Sequence, residues 1–303
     1  MPDDGSAVLL VGFGGPESLE EVPPFVESVL GRVPPDHVTD GAVGRYRAIG
    51  GKSPLPATTR RQAELLSDEL GRRGQATEVF VGMLHARPTI PAAAAEIIAA
   101  GVQDLSVISL APYRCEVSTD AYEAAVVKAF EGGGPELRFA ADWNLHPGYI
   151  NALSGMLGEA LAQAPLATPV IFAAHSLPVR MIDQGDPYVD QLVATAAAVG
   201  EELGLADWEV AYQSVSAAAR EPWLGPSVDE VMARRAASGA GAVMVDPIGF
   251  LADHVETLYD NDIEHRARAE ALGIDFHRCR CLNDHPGLIS TLADVAAATA
   301  HAG

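Results

Sequence analysis

The chain is short of positive charge. Its 20 lysines and arginines face 41 aspartates and glutamates, a formal net charge of −21. Phosphate backbones need a basic surface, so nucleic acid is excluded as a partner. The surplus acid reads as a solubility or salt adaptation, and an anionic ligand must find a local basic cluster. Cysteine is also scarce. Three thiols, at Cys115, Cys279 and Cys281, build no disulfide framework and fit a reducing cytoplasm. They also fall short of the four that an iron–sulfur cluster normally takes, so no cluster is expected and buried thiols are. No run of 18 apolar residues exists, which argues against a membrane span. The start, "MPDDGSAVLLVGFGG", is acidic and runs straight into a strand, unlike a signal peptide. The expected location is therefore cytoplasmic.

What the chain does have is alternation. Apolar runs such as "AVLLVGF" (7–13), "ATEVFVGM" (76–83), "DLSVISLAPY" (104–113), "TPVIFAAHSL" (168–177), "WEVAYQS" (208–214) and "GAVMVDPIGF" (241–250) are separated by helix-like segments. Buried strands between amphipathic helices predict a parallel α/β arrangement. The pattern comes in two rounds, so two similar lobes are expected, 1–145 and 146–303, with a cleft between them. The last helix has the option of packing back on the N-terminal lobe. No internal sequence repeat stands out. Ligands in such folds sit where strands end, and "GFGGPES", "APYRCEVS", "AHSLP", "YQS" and "GFLADH" all lie there.

Two glycine-rich stretches invite a nucleotide reading and fail it. "VGFGGPES" lacks G-x-G-x-x-G, and "IGGKSPL" (49–55) lacks the upstream glycine of a phosphate loop. A tight turn fits the first better, and the second is rejected as a nucleotide loop. Chemistry is more promising in "GFLADHVETLYDNDIEH" (249–265), where Glu256, Asp260 and Glu264 stand four apart. On a helix, residues at that spacing share a face, and like charges there repel. Such a run is ordinarily a solvated surface, but here an apolar strand feeds it towards the ligand end of the sheet. His175 ends another apolar strand. Alone it reads as a structural histidine, but beside Glu256 it offers an imidazole–carboxylate pair suited to a loosely held divalent metal. Mutual repulsion along the acidic row is expected to raise at least one carboxyl pKa.

"LLVGFGGPES", "RYRAIGGKSPL", "AAHSLP", "GDPYVDQL", "AYQS…PWLGPSV" and "GFLADHVETLYDND" occur in that order, followed by "LNDHP". Together they resemble the ferrochelatases, closest to the soluble bacterial enzymes that act on coproporphyrin III. The resemblance implies two Rossmann-like, chelatase-like lobes with a porphyrin cleft, and insertion of Fe²⁺ into a porphyrin to give heme or coproheme. It implies that His175 and Glu256 bind metal and accept pyrrole protons, with Asp260 and Glu264 as the outer path. Phe13, Arg32, Arg45, Tyr46, Ser53 and Tyr122 match porphyrin-side positions, with Arg45 and Tyr46 towards the propionates. Phe13 stands where some relatives have tyrosine, so a metal ligand from that side is lost. Where many relatives read "APHFS", this chain has "APYRCEVS", and Arg114 could offset a carboxylate-bearing substrate. Iron enters as substrate, no dissociable cofactor is implied, and partners beyond porphyrin and iron are transient enzymes of the heme pathway. The alternatives are a protoporphyrin IX enzyme, a chelatase for another metal or tetrapyrrole, and a tetrapyrrole-binding protein without turnover.

Overall fold

The computed structural model describes residues 5–215 and 220–301. The chain forms two compact units, Met1–Trp143 with Asn283–Gly303, and Asn144–Leu282.

In the first unit, β1 (Ser6–Gly12), β2 (Glu78–Met83), β3 (Asp104–Ser109) and β4 (Glu136–Phe139) form one parallel sheet in the order β2-β1-β3-β4. Leu9, Leu10 and Val11 are fully buried in central β1. An unbroken apolar strand suits a parallel sheet covered by helices on both faces. The unit's helices before the second sheet are α1 (Val22–Leu30), α2 (Asp36–Ala48), α3 (Leu55–Arg72), α4 (Ile90–Ala99) and α5 (Ala121–Ala129), of which α3 and α4 pack on β2. A core of Leu9, Val11, Ile90, Ile97, Leu105 and Val126 lies between sheet and helices.

The second unit opens with α6 (Pro147–Leu161). Its sheet holds β5 (Val170–His175), β6 (Trp208–Gln213), β7 (Ala242–Asp246) and β8 (Asp275–Arg278), parallel and in the order β6-β5-β7-β8. Around it lie α7 (Val179–Asp183), α8 (Tyr188–Glu202), α9 (Val228–Ala237) and α10 (Arg266–Leu272). Ile171, Ala173, Val231, Met232, Val243 and Val245 fill its core.

The strand orders are the same plan used twice, and the details repeat. Leu110 N–H donates to the Val11 carbonyl at 2.8 Å, and Gly249 N–H donates to that of Ala173 at 3.1 Å. Thr89 caps α4 and Ser227 caps α9 through their hydroxyls. "NLHPGYI" (144–150) opens α6, and "NDHPGLI" (283–289) opens α11 (Pro286–Ala300). In each, the histidine Nδ1 accepts the N–H of the glycine two residues on, at 3.1 Å. A repeat is therefore present where the sequence showed none. Its shared residues are scattered caps and turns, while core positions change freely among Val, Leu, Ile and Ala.

The division falls between Trp143 and Asn144, beside the expected boundary at 145/146, and the last helix packs back on the first unit, the option the sequence left open. Each fourth strand is followed by a helix that belongs to the other unit: α6 follows β4 but packs on α8, and α11 follows β8 but packs on α3 and β3. Leu288 and Leu292 of α11 are fully buried. After β3 and after β7 the chain takes up wide π-helical turns, at Glu116–Asp120 and Glu256–His265. The four-residue spacing of the acids had predicted an α-helix there.

Candidate active site

The second sheet places its chemistry at one end. His175 is the last residue of β5 and pairs in register with Gln213, the last of β6. Beyond β7 the chain turns back over β5. A Cβ on Gly249 would lie 2.6 Å from the Ala174 Cβ and 2.7 Å from its Cα, so only glycine permits this crossing. The loop then delivers Glu256 to His175, and their Oε1 and Nε2 stand 3.4 Å apart.

A second histidine completes the arrangement. His254 Nε2 lies 3.5 Å from the other oxygen of Glu256, so the carboxylate is held between two imidazoles. His175 Nδ1 donates to the Ser176 carbonyl at 2.5 Å, which fixes the ring and turns Nε2 towards Glu256. The Tyr188 hydroxyl donates to the His175 carbonyl at 3.1 Å. Burial disfavours a charged imidazole. The Glu256 charge and hydrogen bond, the Ser176 carbonyl and Asp260 outweigh it, and the His175 pKa is pushed up to about 9. Burial likewise opposes ionisation of Glu256, yet His175 and His254 hold its carboxyl well below the usual range. At Glu256 the flanking histidines outweigh both burial and the other acids of the row, so the pKa falls.

The acidic row leads outward. Glu256 is partly buried, Asp260 is 3% exposed, and Glu264 is exposed. A π-helix closes i→i+5 bonds and takes more residues per turn than an α-helix. Residues four apart then fall a little short of a full turn, so the three still share a face. Asp260 Oδ2 accepts the Ser214 hydroxyl at 2.5 Å. Gln213 Nε2 donates to the Glu256 carbonyl at 2.7 Å. His254, Gln213 and Ser214 are the residues that sequence reasoning missed. His254 lies off the four-residue period, two before Glu256, and "YQS" was noted as a strand end and within a family motif but given no role.

The residues expected on the porphyrin side lie in the first unit. Phe13 comes just after β1 where His175 ends β5, each two residues beyond the strand carbonyl that accepts the matching loop N–H. Its ring meets His85 at 4.7 Å and Phe25 at 6.1 Å, and Phe25 meets Tyr46 at 6.3 Å. The Ser28 hydroxyl bonds His85 Nδ1 at 2.9 Å, and burial lowers the His85 pKa. Ser53 is buried, its N–H on the Pro16 carbonyl at 2.8 Å. Arg45 is half-buried beside Tyr46 in the last turn of α2, and Arg32 is exposed after α1. Tyr122 is only 3% exposed and sits in the first unit's core, which explains why burial raises its pKa. Arg114 does not wait for a substrate carboxylate: it is bound by Asp120, Glu123 at 2.9 Å and Asp142 at 3.0 Å. Cys115, Cys279 and Cys281 are free and buried, and burial raises the thiol pKa of the last two.

The family model described as Ferrochelatase matches residues 5–300. A protein named Ferrochelatase from Deinococcus radiodurans is 39% identical over 95% of this chain and 94% of its own. One named Coproporphyrin III ferrochelatase from Halalkalibacterium halodurans is 34% identical over 95% of each. The structure of SirB from Bacillus subtilis with Fe³⁺ superposes with a TM-score of 0.64 at 12% identity, covering 98% of this chain and 96% of that one, a likeness of fold. With a match that spans nearly its whole length, the chain belongs to the ferrochelatase family.

Proposed function

We propose that this protein inserts ferrous iron into a porphyrin, with coproporphyrin III as the preferred macrocycle. The observation that carries the reading is Glu256 held at 3.4 and 3.5 Å between His175 and His254 at the ligand end of a parallel sheet. Insertion joins a dication to a neutral macrocycle and releases two pyrrole protons. A site for it needs acceptors for those protons and negative charge for the cation. Glu256 stays ionised and supplies charge. An approaching dication disfavours a proton on His175 by repulsion, which leaves the imidazole able to accept one from the macrocycle. Asp260 and Glu264 extend the carboxylates towards solvent as a path for metal in or protons out. The aromatic cluster of Phe13, Phe25, Tyr46 and His85 offers the kind of surface on which a flat ring stacks.

Coproporphyrin III is favoured because relatives of that name align over nearly the full chain. Iron is the substrate, and neither an organic cofactor nor an iron–sulfur cluster enters the reaction. Cys115 belongs to the first unit and the other two cysteines to the second. A cytoplasmic location accords with the absence, among the described residues, of any helix long and apolar enough to cross a membrane.

The test is a steady-state insertion assay. Coproporphyrin III should exceed protoporphyrin IX in kcat/KM by about tenfold, roughly 1.4 kcal/mol. The His175→Ala variant should lose insertion while porphyrin Kd stays within about tenfold of the parent. Equal rates for variant and parent overturn the assignment of His175, and a preference for protoporphyrin IX overturns that of the substrate.

A further inference from the structure

Arg278, the last residue of β8, takes no part in the chemistry above, yet its side chain is tied to the stretch that carries it. β8 pairs with β7, and Arg278 lies beside Val245, next to the strand end from which that stretch departs. Its side chain is 8% exposed, and a cation so deeply buried must be paired. The guanidinium bridges two carboxylates. One is Asp253, the residue before His254; the other is Asp262, whose Oδ1 lies 3.4 Å from Nε. In sequence the two aspartates bracket His254, Glu256 and Asp260. Asp253 hands the contact on. Its Oδ1 accepts the Thr257 hydroxyl at 3.1 Å, and the oxygen of that hydroxyl accepts the His254 N–H at 2.9 Å. Thr257 is itself fully buried. A planar fork that holds two carboxylates nine residues apart fixes the chain between them in a way that a compact ammonium does not.

We propose that Arg278 is a positioning residue: by bridging Asp253 and Asp262 it closes residues 253–262 into one shape and so holds His254 against Glu256. This deepens the reading of the same site given above and rests on it. Without the bridge, Glu256 keeps its charge and its contact with His175. What it loses is the second imidazole, now set 3.5 Å from its other oxygen. Insertion then slows after both substrates have bound, while their binding is little changed.

Arg278→Lys is the direct test, because lysine keeps the charge and the aliphatic stem but replaces the fork with a point charge. Asp262→Asn is its partner, because it cuts one arm of the bridge at a partly exposed position and leaves the pair with Asp253 whole. Two readouts are needed. In hydrogen exchange, residues 253–262 should lose protection about tenfold in Arg278→Lys, with β5 and β6 unchanged. In insertion assays, Arg278→Lys should lower kcat about tenfold and Asp262→Asn about threefold, with KM for porphyrin and for metal close to parent. Because Arg278 acts through His254, adding Arg278→Lys to His254→Ala should lower kcat by less than about twofold more, whereas a general loss of packing would multiply the two effects. Parent-like exchange and kcat in Arg278→Lys overturn the proposal, as does a double variant whose losses multiply in full. A parent that metallates no porphyrin, while Arg278→Lys still loosens residues 253–262, sinks the proposed function and leaves the bridge standing.

Discussion

At the scale of single residues, a side chain's neighbours decide its state more than its chemical type does. Asp246 ends β7 and Glu256 opens the π-helical segment that follows it, and the pKa values of these two carboxyls move apart. Two histidines hold Glu256 down. Asp246 is 3% exposed, its Oδ2 has no hydrogen-bond partner among the described residues, and burial pushes its pKa from 3.8 up to about 7 despite Arg278. A raised carboxyl pKa means the folded chain keeps a proton that the unfolded chain releases above about pH 4. Stability is therefore lost as pH rises from there to about 7. Asp246→Asn removes the titration at nearly the same shape. Its stability advantage over the parent should grow by about 1–2 kcal/mol between pH 5 and pH 8, read by urea unfolding. An advantage that stays constant with pH would show that Asp246 is already ionised in the native protein.

Among elements, the same plan built twice has been put to two uses. The π-helical turn after β3 carries Asp120, and Arg114 binds it together with Glu123 and Asp142. The turn after β7 carries Glu256 and Asp260, which face histidines and a serine instead. Phe13 and His175 hold the same place after their strands, one apolar and one ionisable. The exchange of end helices has its own consequence. Leu292 of α11 is fully buried although it follows the second sheet in sequence. Leu292→Ala should cost about 2–4 kcal/mol. Hydrogen exchange should place the loss in β1 and β3 and spare β5 and β7; faster exchange confined to the second sheet would contradict the helix's assignment to the first unit.

For the whole molecule, the dominant quantity is charge. A net −21 on 303 residues means that most acids see other acids at medium range. That repulsion is weakened when the screening length drops from about 30 Å at 0.01 M salt to about 3 Å at 1 M. The melting temperature should therefore climb by several degrees between those salt concentrations, as scanning calorimetry would register. A flat response would mean that ion pairs such as Arg73 with Glu69 and Asp294, which salt weakens, offset the relief.

The order of elements, the parallel sheets and the strand-end location of the chemistry were legible in the sequence. Each follows from local periodicity and from where apolar runs stop. His175, Glu256 and Asp260 could be singled out because residue type and spacing carry their chemistry. Three things depended on the tertiary structure: the meeting of His254 with Glu256, the support of the acids by Gln213 and Ser214, and the exchange of α6 and α11 between units. All three join segments far apart in the chain or off any helical period, and spacing encodes only neighbours along one element. The direction of the Glu256 pKa was not legible in the sequence for the same reason: the repelling acids are written in its own run, while His175 comes from a strand about 80 residues away and joins it only on folding.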